Sequence, residues 1–342
     1  MTQINWTLCK IAIALLPSTA SILAFPALAN DSSAELGAGG LVLRLNSDVE
    51  MTSEDLFVSA REVRVSYVFT NRAPSDVRTL VAFPMPDVKG SEEPQSIPSQ
   101  DPVNILGFST IANGVRVAAR VEQKAFVNGL EQTARLRELG VPLAPHLEAT
   151  QKALTALPRA QWQALEKLGL VEIMKFDAGR GWQEELSPRW TLKTTYFWDQ
   201  VFPANAQTHI EHRYSPAVGA SAGTQVGDRQ AMREDWYRDY ARKYCIDSSF
   251  IAAIDRARKA RGGDGIPFTE ERISYILTTG ANWAGPIRDF RLVVDKGAPE
   301  NLVSFCGRGV KRIAPTRFEV RYRDFVPRED LHVLILKPIR IE

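Results

Sequence analysis

The sequence predicts a mainly β protein with helical insertions, arranged as two antiparallel β-sandwich-like units. Segments with period-two alternation recur along the chain, as in residues 62–69, where every second side chain is apolar. Short turns join these segments, and strands joined by short turns are antiparallel. Helical periodicity is confined to two blocks, residues 128–175 and 229–260. A β framework interrupted twice by helices is therefore expected.

The chain begins with a segment that has the character of a secretory signal peptide. Lys10 is its only charge before Asp31, its centre is apolar, and it closes on the small-x-small pattern of Ala27, Leu28 and Ala29. A membrane anchor is the alternative, but Pro17 and neighbouring polar residues interrupt the apolar run before roughly 18 residues. We expect cleavage after Ala29 and a periplasmic or secreted protein with no transmembrane segment after cleavage.

The first unit of the exported chain is predicted over residues 30–127. Alternating residues 62–69 form a strand, and the turn-forming sequence at 71–76 leads into a second strand at 77–83. A hairpin follows, with its turn at Asn113 and Gly114, a pair typical of two-residue hairpin turns. These elements form an N-terminal β-sandwich-like domain.

A helical insertion is predicted over residues 128–175, after the first β unit. Three short helices are expected at 130–139, 146–157 and 158–168, with Gly169 ending the last. The simplest interpretation of their apolar stripes is that the helices pack on a sheet.

The second β unit is predicted over residues 189–342, and it contains the second helical insertion at 229–260. Asp247 suits the N-cap of a helix in that insertion, and residues 218–227 are interpreted as a linker rich in small residues. The strands of this unit are expected at 192–202, 208–214, 273–278, 287–294, 302–305, 317–322 and 332–336.

Charge and cysteine content restrict the class of protein. The formal net charge is only +2 and no basic run occurs, so a nucleic-acid partner is not expected. Cys9 falls in the signal peptide, which leaves Cys245 and Cys306 in the exported chain. Two cysteines in an oxidising compartment most simply form a disulfide. A reactive thiol is the alternative, but no histidine lies near either cysteine in sequence.

The four histidines give little sign of a metal site. His209 and His212 are the closest pair, but on a strand they point to opposite faces, so one ion could not easily bind both. The helical His-Glu-x-x-His pattern of zinc peptidases is absent. We therefore predict neither a metal nor another cofactor.

Hydrolytic chemistry has weak candidates in the sequence. Asp199, Glu211 and His212 could serve as acid, base or nucleophile-activating group, and the Glu184–Glu185 pair could offer further carboxylates, although scattered carboxylates are usually solvated surface. The Gly-x-Ser-x-Gly elbow of serine hydrolases is absent.

Aromatic residues offer a second kind of candidate site. Trp182 and Trp283 both lie in glycine-containing segments typical of loops, and an exposed indole binds sugars or peptides through its large apolar face. The alternative for the aromatic residues is packing between sheets, and the alternation of Tyr196 and Trp198 favours it for those two. Trp182 is the better candidate for exposure.

Several sequence motifs resemble the bacterial DUF4424 family, and the resemblance covers nearly the whole exported chain. The motifs are the start at residues 30–40, TLVAFPMP at 79–86, YFWDQVFP at 196–203, HRYSP at 212–216, YILTTGANWAGPI at 275–287 and DFRLVV at 289–294. The family is uncharacterised, so the resemblance implies no catalytic residues. Residues 62–127 also resemble the VIT domain, a β module that implies a role in interactions.

Two functional hypotheses follow from these observations. In the first, the chain is an exported non-enzymatic protein that acts as a binding or envelope-associated module, with another envelope protein or a glycan as partner. In the second, it is a periplasmic hydrolase of carbohydrate or peptide. The hydrolase needs Asp199, Glu211 or His212 to meet near Trp283 in one concave pocket.

Overall fold

A computed structural model describes residues 30–90, 95–177, 179, 181–262 and 265–339. Over these residues the chain is mainly β with two helical blocks, which confirms the predicted fold class. The predicted signal peptide, residues 1–29, lies outside the described residues. Among the described helices, none combines the length and the apolar character that a membrane crossing requires.

The strands and helices of the described residues are as follows. The strands are β1 (Ser32–Gly37), β2 (Gly40–Arg44), β3 (Val49–Ser59), β4 (Val63–Asn71), β5 (Val77–Pro84), β6 (Val88–Lys89), β7 (Gln95–Ser96), β8 (Ser109–Ala112), β9 (Val115–Val117), β10 (Arg120–Val127), β11 (Leu130–Glu131), β12 (Val171–Asp177), β13 (Trp182–Pro188), β14 (Thr191–Phe202), β15 (Gln207–Tyr214), β16 (Val218–Ser221), β17 (Phe268–Tyr275), β18 (Ile287–Asp295), β19 (Leu302–Phe305), β20 (Lys311–Arg312), β21 (Arg317–Phe325) and β22 (Leu331–Pro338). The α-helices are α1 (Thr133–Glu138), α2 (Glu148–Thr155), α3 (Arg159–Lys167), α4 (Asp235–Tyr244) and α5 (Ser248–Arg261).

These strands form three larger sheets and one ribbon. A seven-stranded sheet has the order β11-β10-β14-β5-β1-β2, with β6 also paired to β14. An eight-stranded sheet has the order β20-β21-β18-β3-β4-β15-β8-β9, and a five-stranded sheet has the order β19-β22-β17-β16-β7. Strands β12 and β13 form a separate two-stranded ribbon.

The main core lies between the seven-stranded and eight-stranded sheets. On β4 the predicted alternation holds, because Val63, Val65, Tyr67 and Phe69 are all buried. The ring of Phe69 packs 5.5 Å from that of Phe202 on the opposite sheet. Each fully buried side chain of this size contributes about 1.5–3 kcal/mol by leaving water, as an upper estimate.

Strands from the two predicted units share sheets. Strand β3, from the first unit, pairs in parallel with β18 near the end of the chain, with Leu56 opposite Leu292. Strand β10, also from the first unit, pairs antiparallel with β14 of the second. The expected division at 30–127 and 189–342 therefore does not correspond to separate sheets. Apolar alternation determines which face of a strand is buried, but it does not select the partner strand.

The second helical block packs on the five-stranded sheet. Phe250 and Ile254 of α5 contact Leu334 and Leu336 of β22 in a separate apolar cluster. The predicted N-cap is confirmed, because the Asp247 carboxylate accepts a hydrogen bond from the Phe250 amide at 2.8 Å. The predicted linker at 218–227 instead begins with β16, which pairs with β17.

A disulfide between Cys245 and Cys306 joins the end of α4 to the segment after β19, as expected from the sequence, with the two Cα atoms 5.1 Å apart. Beside the disulfide, the Ser304 hydroxyl donates a hydrogen bond to the Tyr244 carbonyl at 2.9 Å. This carbonyl belongs to the last turn of α4 and has no partner within the helix. The helical block is thus covalently attached to the sheet beneath it.

Candidate functional site

A cleft of about 720 Å³ opens between the first helical block and the β12–β13 ribbon. Its lining consists of two indoles, an aliphatic side chain and three charged groups: Leu157, Arg159, Trp162, Lys175, Trp182 and Glu184. We call this feature the Trp182 cleft.

Ribbon register explains why three of these side chains share one face. Lys175 pairs with Glu184, and Asp177 pairs with Trp182. Cross-strand partners project to the same side of a sheet, so Lys175, Glu184 and Trp182 all point toward the helices. The Asp177 carboxylate also accepts hydrogen bonds from the Gly179 amide at 2.8 Å and the Gly181 amide at 3.1 Å, which organises the turn beside Trp182.

The two tryptophans of the cleft differ in exposure and in hydrogen bonding. Trp162 is half-buried, and its indole N–H donates to the Leu154 carbonyl at 3.0 Å, which holds the ring in place. Trp182 is 78% exposed. An exposed indole beside a fixed one presents a large apolar surface from which a ligand would displace water.

Charged groups form the rim of the Trp182 cleft. The Arg159 guanidinium lies 5.1 Å from the centre of the Trp162 ring and donates to the Glu184 carboxylate at 2.8 Å. Lys175 lies 3.5 Å from the same carboxylate. The hydrogen bond from Arg159 is the main reason that the pKa of Glu184 is lowered, so this carboxylate is ionised at neutral pH. The rim therefore offers both donors and acceptors to a polar ligand.

The structure places the two sequence-predicted tryptophans in opposite environments. Trp182 is at the surface, whereas Trp283 is only 3% exposed. The Trp283 indole donates to the Asp31 carbonyl at 2.6 Å and packs 4.7 Å from the Phe69 ring. Its ring is therefore occupied by core contacts and offers no face to a ligand from solvent.

The three residues considered for hydrolysis do not all share one cleft, because Glu211 and His212 both line a groove of about 730 Å³ on the eight-stranded sheet and Asp199 does not. Asp199 is exposed on β14 and pairs with Arg120 at 2.9 Å. Glu211 is exposed on the outer face of β15, and His212, the next residue, is buried on the inner face. Adjacent residues on a strand point to opposite sides, which is why these two side chains diverge. The side chains of these residues therefore do not meet in one pocket near Trp283, as the hydrolase hypothesis requires.

In the core, His212 lies in the middle of a buried chain of hydrogen-bonded side chains. The His212 Nδ1 atom lies 3.1 Å from the Thr110 hydroxyl, and its Nε2 atom lies 3.0 Å from an oxygen of Asp31. Hydroxyl, imidazole and carboxylate in line also occur in nucleophilic hydrolases. All three side chains are buried here, so a substrate has no surface from which to reach them.

A second cleft, of about 400 Å³, contains a serine and a histidine that were not selected from the sequence. The Ser274 hydroxyl lies 2.9 Å from Nδ1 of His332, its partner across strands β17 and β22. Burial, and secondarily the charge of Lys243, lowers the pKa of His332 to about 4. The imidazole is therefore neutral at physiological pH. The two residues are 58 positions apart in sequence, and only the strand register brings them together.

Apart from Glu184, the other lining residues of the Trp182 cleft are not identified from the sequence. The sequence places Trp162 in the apolar stripe of a predicted helix, which describes only one side of its ring. The local sequence does not predict the ion pairs of Arg159 and Lys175, because their common partner, Glu184, lies on a different element. A tryptophan and an arginine three residues apart at a helix start would have been the available hint.

Solved structures with a related arrangement are remote. The chain is similar to a "putative nutrient binding protein" from Legionella pneumophila, with 15% sequence identity and a TM-score of 0.45, over 90% of this chain and 70% of that chain. It is also similar to an M1 zinc metallopeptidase from Deinococcus radiodurans, with 8% identity and a TM-score of 0.24, over 86% of this chain and 43% of that chain. Both similarities are too remote to carry a functional argument.

Sequence comparisons give a family but no characterised relative. No curated protein sequence matches the chain. A family model described as a domain of unknown function, DUF4424, matches residues 29–334, which is nearly the full chain. The motifs that suggested this family, including the segment around Trp283 and residues 30–40, lie within the match. The chain therefore belongs to the DUF4424 family.

Proposed function

We propose that this DUF4424 chain is an exported, non-enzymatic binding module that takes a glycan in the Trp182 cleft. The observation that carries the proposal is the exposed indole of Trp182 beside the anchored indole of Trp162, above a rim of paired charges. A sugar ring stacks on an indole through its C–H face, while its hydroxyls need donors and acceptors at the edge. Arg159, Lys175 and Glu184 supply both.

Export is the second part of the proposal. The first 29 residues have the composition of a signal peptide, and cleavage after Ala29 would deliver the chain to the periplasm or the exterior. The Cys245–Cys306 disulfide supports this location, because such bonds persist in oxidising compartments. A glycan ligand also suits that location, since the envelope is rich in saccharides.

The experiment is a glycan-binding assay on the exported chain, residues 30–342, with envelope oligosaccharides as probes and calorimetry as the readout. Trp182→Ala should weaken binding by about tenfold or more, which corresponds to roughly 1.4 kcal/mol for an aromatic anchor. Trp236→Ala is the matched control, because Trp236 is also exposed, at 45%, but lies on α4. It should leave the affinity unchanged.

Two results would count against the glycan assignment. If no oligosaccharide binds the unmodified chain, or if both tryptophan variants weaken binding equally, the Trp182 cleft is not the site. If an envelope protein is retained by the chain in a manner that depends on Trp182, the ligand is a protein, and the cleft remains a binding site of a different class.

A hydrolase remains the second candidate, and one observation favours it. The Ser274 hydroxyl and the neutral imidazole of His332 are hydrogen-bonded in a cleft, which is the pairing that activates a serine. Asp330, at the same cleft, accepts hydrogen bonds from the Thr278 hydroxyl and amide. Turnover of an ester or glycoside probe that disappears in Ser274→Ala would support this candidate over the binding module.

A further inference from the structure

The residue that follows the predicted cleavage position is buried in the protein core. Asn30, Asp31 and Ser32 are each completely buried, although they begin the exported chain. They are surrounded by residues from two sheets and one loop, which we call the N-terminal socket: Glu54, Tyr67, His212, Tyr275, Gly280, Asn282 and Trp283. Chain starts are usually exposed, so this degree of enclosure needs an explanation.

The socket recognises the Asn30 side chain at each of its polar atoms. Its Nδ2 atom donates to the Glu54 carboxylate at 3.0 Å. Its Oδ1 atom accepts from the Tyr67 hydroxyl and from the Asp31 amide, the latter at 2.9 Å. Gly280 closes the remaining side, because a Cβ there would lie 2.7 Å from Asn30 Nδ2. A larger residue at either position would not fit.

The next two residues are held by the motif at 275–287. The Trp283 indole donates to the Asp31 carbonyl at 2.6 Å, and the Asn282 amide donates to the Ser32 hydroxyl at 2.9 Å. One of the longest motifs of the family therefore contacts the start of the exported chain. These two hydrogen bonds hold the start of the exported chain in place.

The socket contains buried carboxylates with unsatisfied oxygens. Glu54 Oε1 and Asp31 Oδ2 make no hydrogen bond of good geometry among the described residues, although the Tyr275 hydroxyl lies near enough to Glu54 to lower its pKa. Burial raises the pKa of Glu54 to about 8 and also raises the pKa of Asp31, although His212 opposes the second effect. A buried carboxylate of this kind is costly unless a cation or further donors approach it.

We propose that the N-terminal socket is a binding site for the α-ammonium group of Asn30, with the carboxylates of Glu54 and Asp31 as its partners. Hydrolysis of the Ala29–Asn30 peptide bond consumes one water and leaves a carboxylate on Ala29 and an ammonium on Asn30. Before cleavage the same nitrogen is an uncharged amide with one proton. The inference rests on the export and cleavage in the proposed function, and it does not depend on glycan binding.

Covalent geometry keeps the new charge within about 8 Å of the Glu54 carboxylate. The backbone nitrogen of Asn30 lies within about 5 Å of the same residue's Nδ2 atom. That Nδ2 atom is itself 3.0 Å from Glu54. An ammonium has three donors, which match the two unsatisfied oxygens and leave one for a further acceptor. Cleavage would thus supply a cation in addition to His212 beside these carboxylates, and the exported form would be more stable than the precursor.

The test compares two chains of identical sequence, residues 30–342, one with a free α-amine and one with an N-acetyl group. Acetylation removes the charge, so the thermal midpoint at pH 7 should fall by about 3 °C or more. In Glu54→Gln the same acetylation should have a clearly smaller effect, because the charge has lost a partner. Glu211→Gln is the matched control, an exposed glutamate in which the full effect should persist. Equal midpoints for the free and acetylated chains would overturn the proposal, as would an undiminished loss in Glu54→Gln.

A second measurement keeps the inference testable if Glu54→Gln does not fold. The α-amine of the native chain should react with an amine-selective reagent at least tenfold more slowly than that of the urea-unfolded chain. Equal rates would place the amine in solvent and refute the socket as its site. N-terminal mapping of the exported protein tests the premise separately: a start at Asn30 is expected, and a different start refutes the cleavage position without bearing on the glycan assay.

Discussion

Removal of the disulfide tests how strongly the second helical block depends on its covalent attachment. The perturbation is the double substitution Cys245→Ser and Cys306→Ser. The two cysteines are 61 positions apart in sequence, and the chain-entropy relation gives about 4 kcal/mol for a loop of that size. The loop includes α5, β17 and β18, so its release enlarges the unfolded ensemble across much of the second half of the chain.

The assay is guanidinium unfolding of the oxidised chain, the double variant and the reduced chain. The double variant and the reduced chain should be less stable than the oxidised chain by a similar amount, roughly 3–4 kcal/mol. The reduced chain is the control, because it lacks the bond but keeps both cysteines. A loss below about 1 kcal/mol in both would refute the reasoning, since it would mean that the unfolded loop is already restricted without the bond.

Two further substitutions test individual contacts. The pKa of His332 is lowered to about 4 in the folded protein, so between about pH 4 and pH 6.5 the unfolded chain binds more protons and stability falls as the pH falls. Between pH 7.5 and pH 4.5, the free energy of unfolding of the His332→Gln variant should therefore fall by up to about 3 kcal/mol less than that of the unmodified chain, as measured by urea unfolding. The same pH dependence of stability in both chains would contradict this assignment. Gly280→Ala should destabilise the chain by about 1–3 kcal/mol in the same assay at pH 7, because the added methyl displaces the Asn30 side chain. Gly223→Ala is the matched control, because Gly223, like Gly280, has no positive φ, and the space around its Cβ is open.

Local patterns were sufficient to predict many individual elements. The Asn113-Gly114 turn joins β8 to β9 with both residues at positive φ, as that residue pair favours. The N-cap at Asp247 and the alternation on β4 follow from hydrogen bonding and side-chain period within a few residues. Such features need no knowledge of the rest of the chain, which is why the sequence predicts them.

The candidate site was only partly predictable. Trp182 and Trp283 both lie near glycines, yet one is exposed on a ribbon and the other packs against Phe69. The sequence favours Trp182 for exposure, but it does not show that Trp283 is buried, because the burial of a tryptophan depends on which distant strand covers it. The partners of Trp182 in the cleft come from a helix and a ribbon whose contact is tertiary.

The sequence by itself determined the mainly β class, the two helical blocks, the cysteine pair and the export-like start of this DUF4424 chain. Tertiary structure alone decided that β3 pairs with β18 and that Asn30 meets Glu54 and Gly280 in the core. The physical reason is the range of the interactions. Side-chain period, capping and turn preference act within a few residues, whereas strand pairing and the burial of charge join residues that only the folded chain brings together.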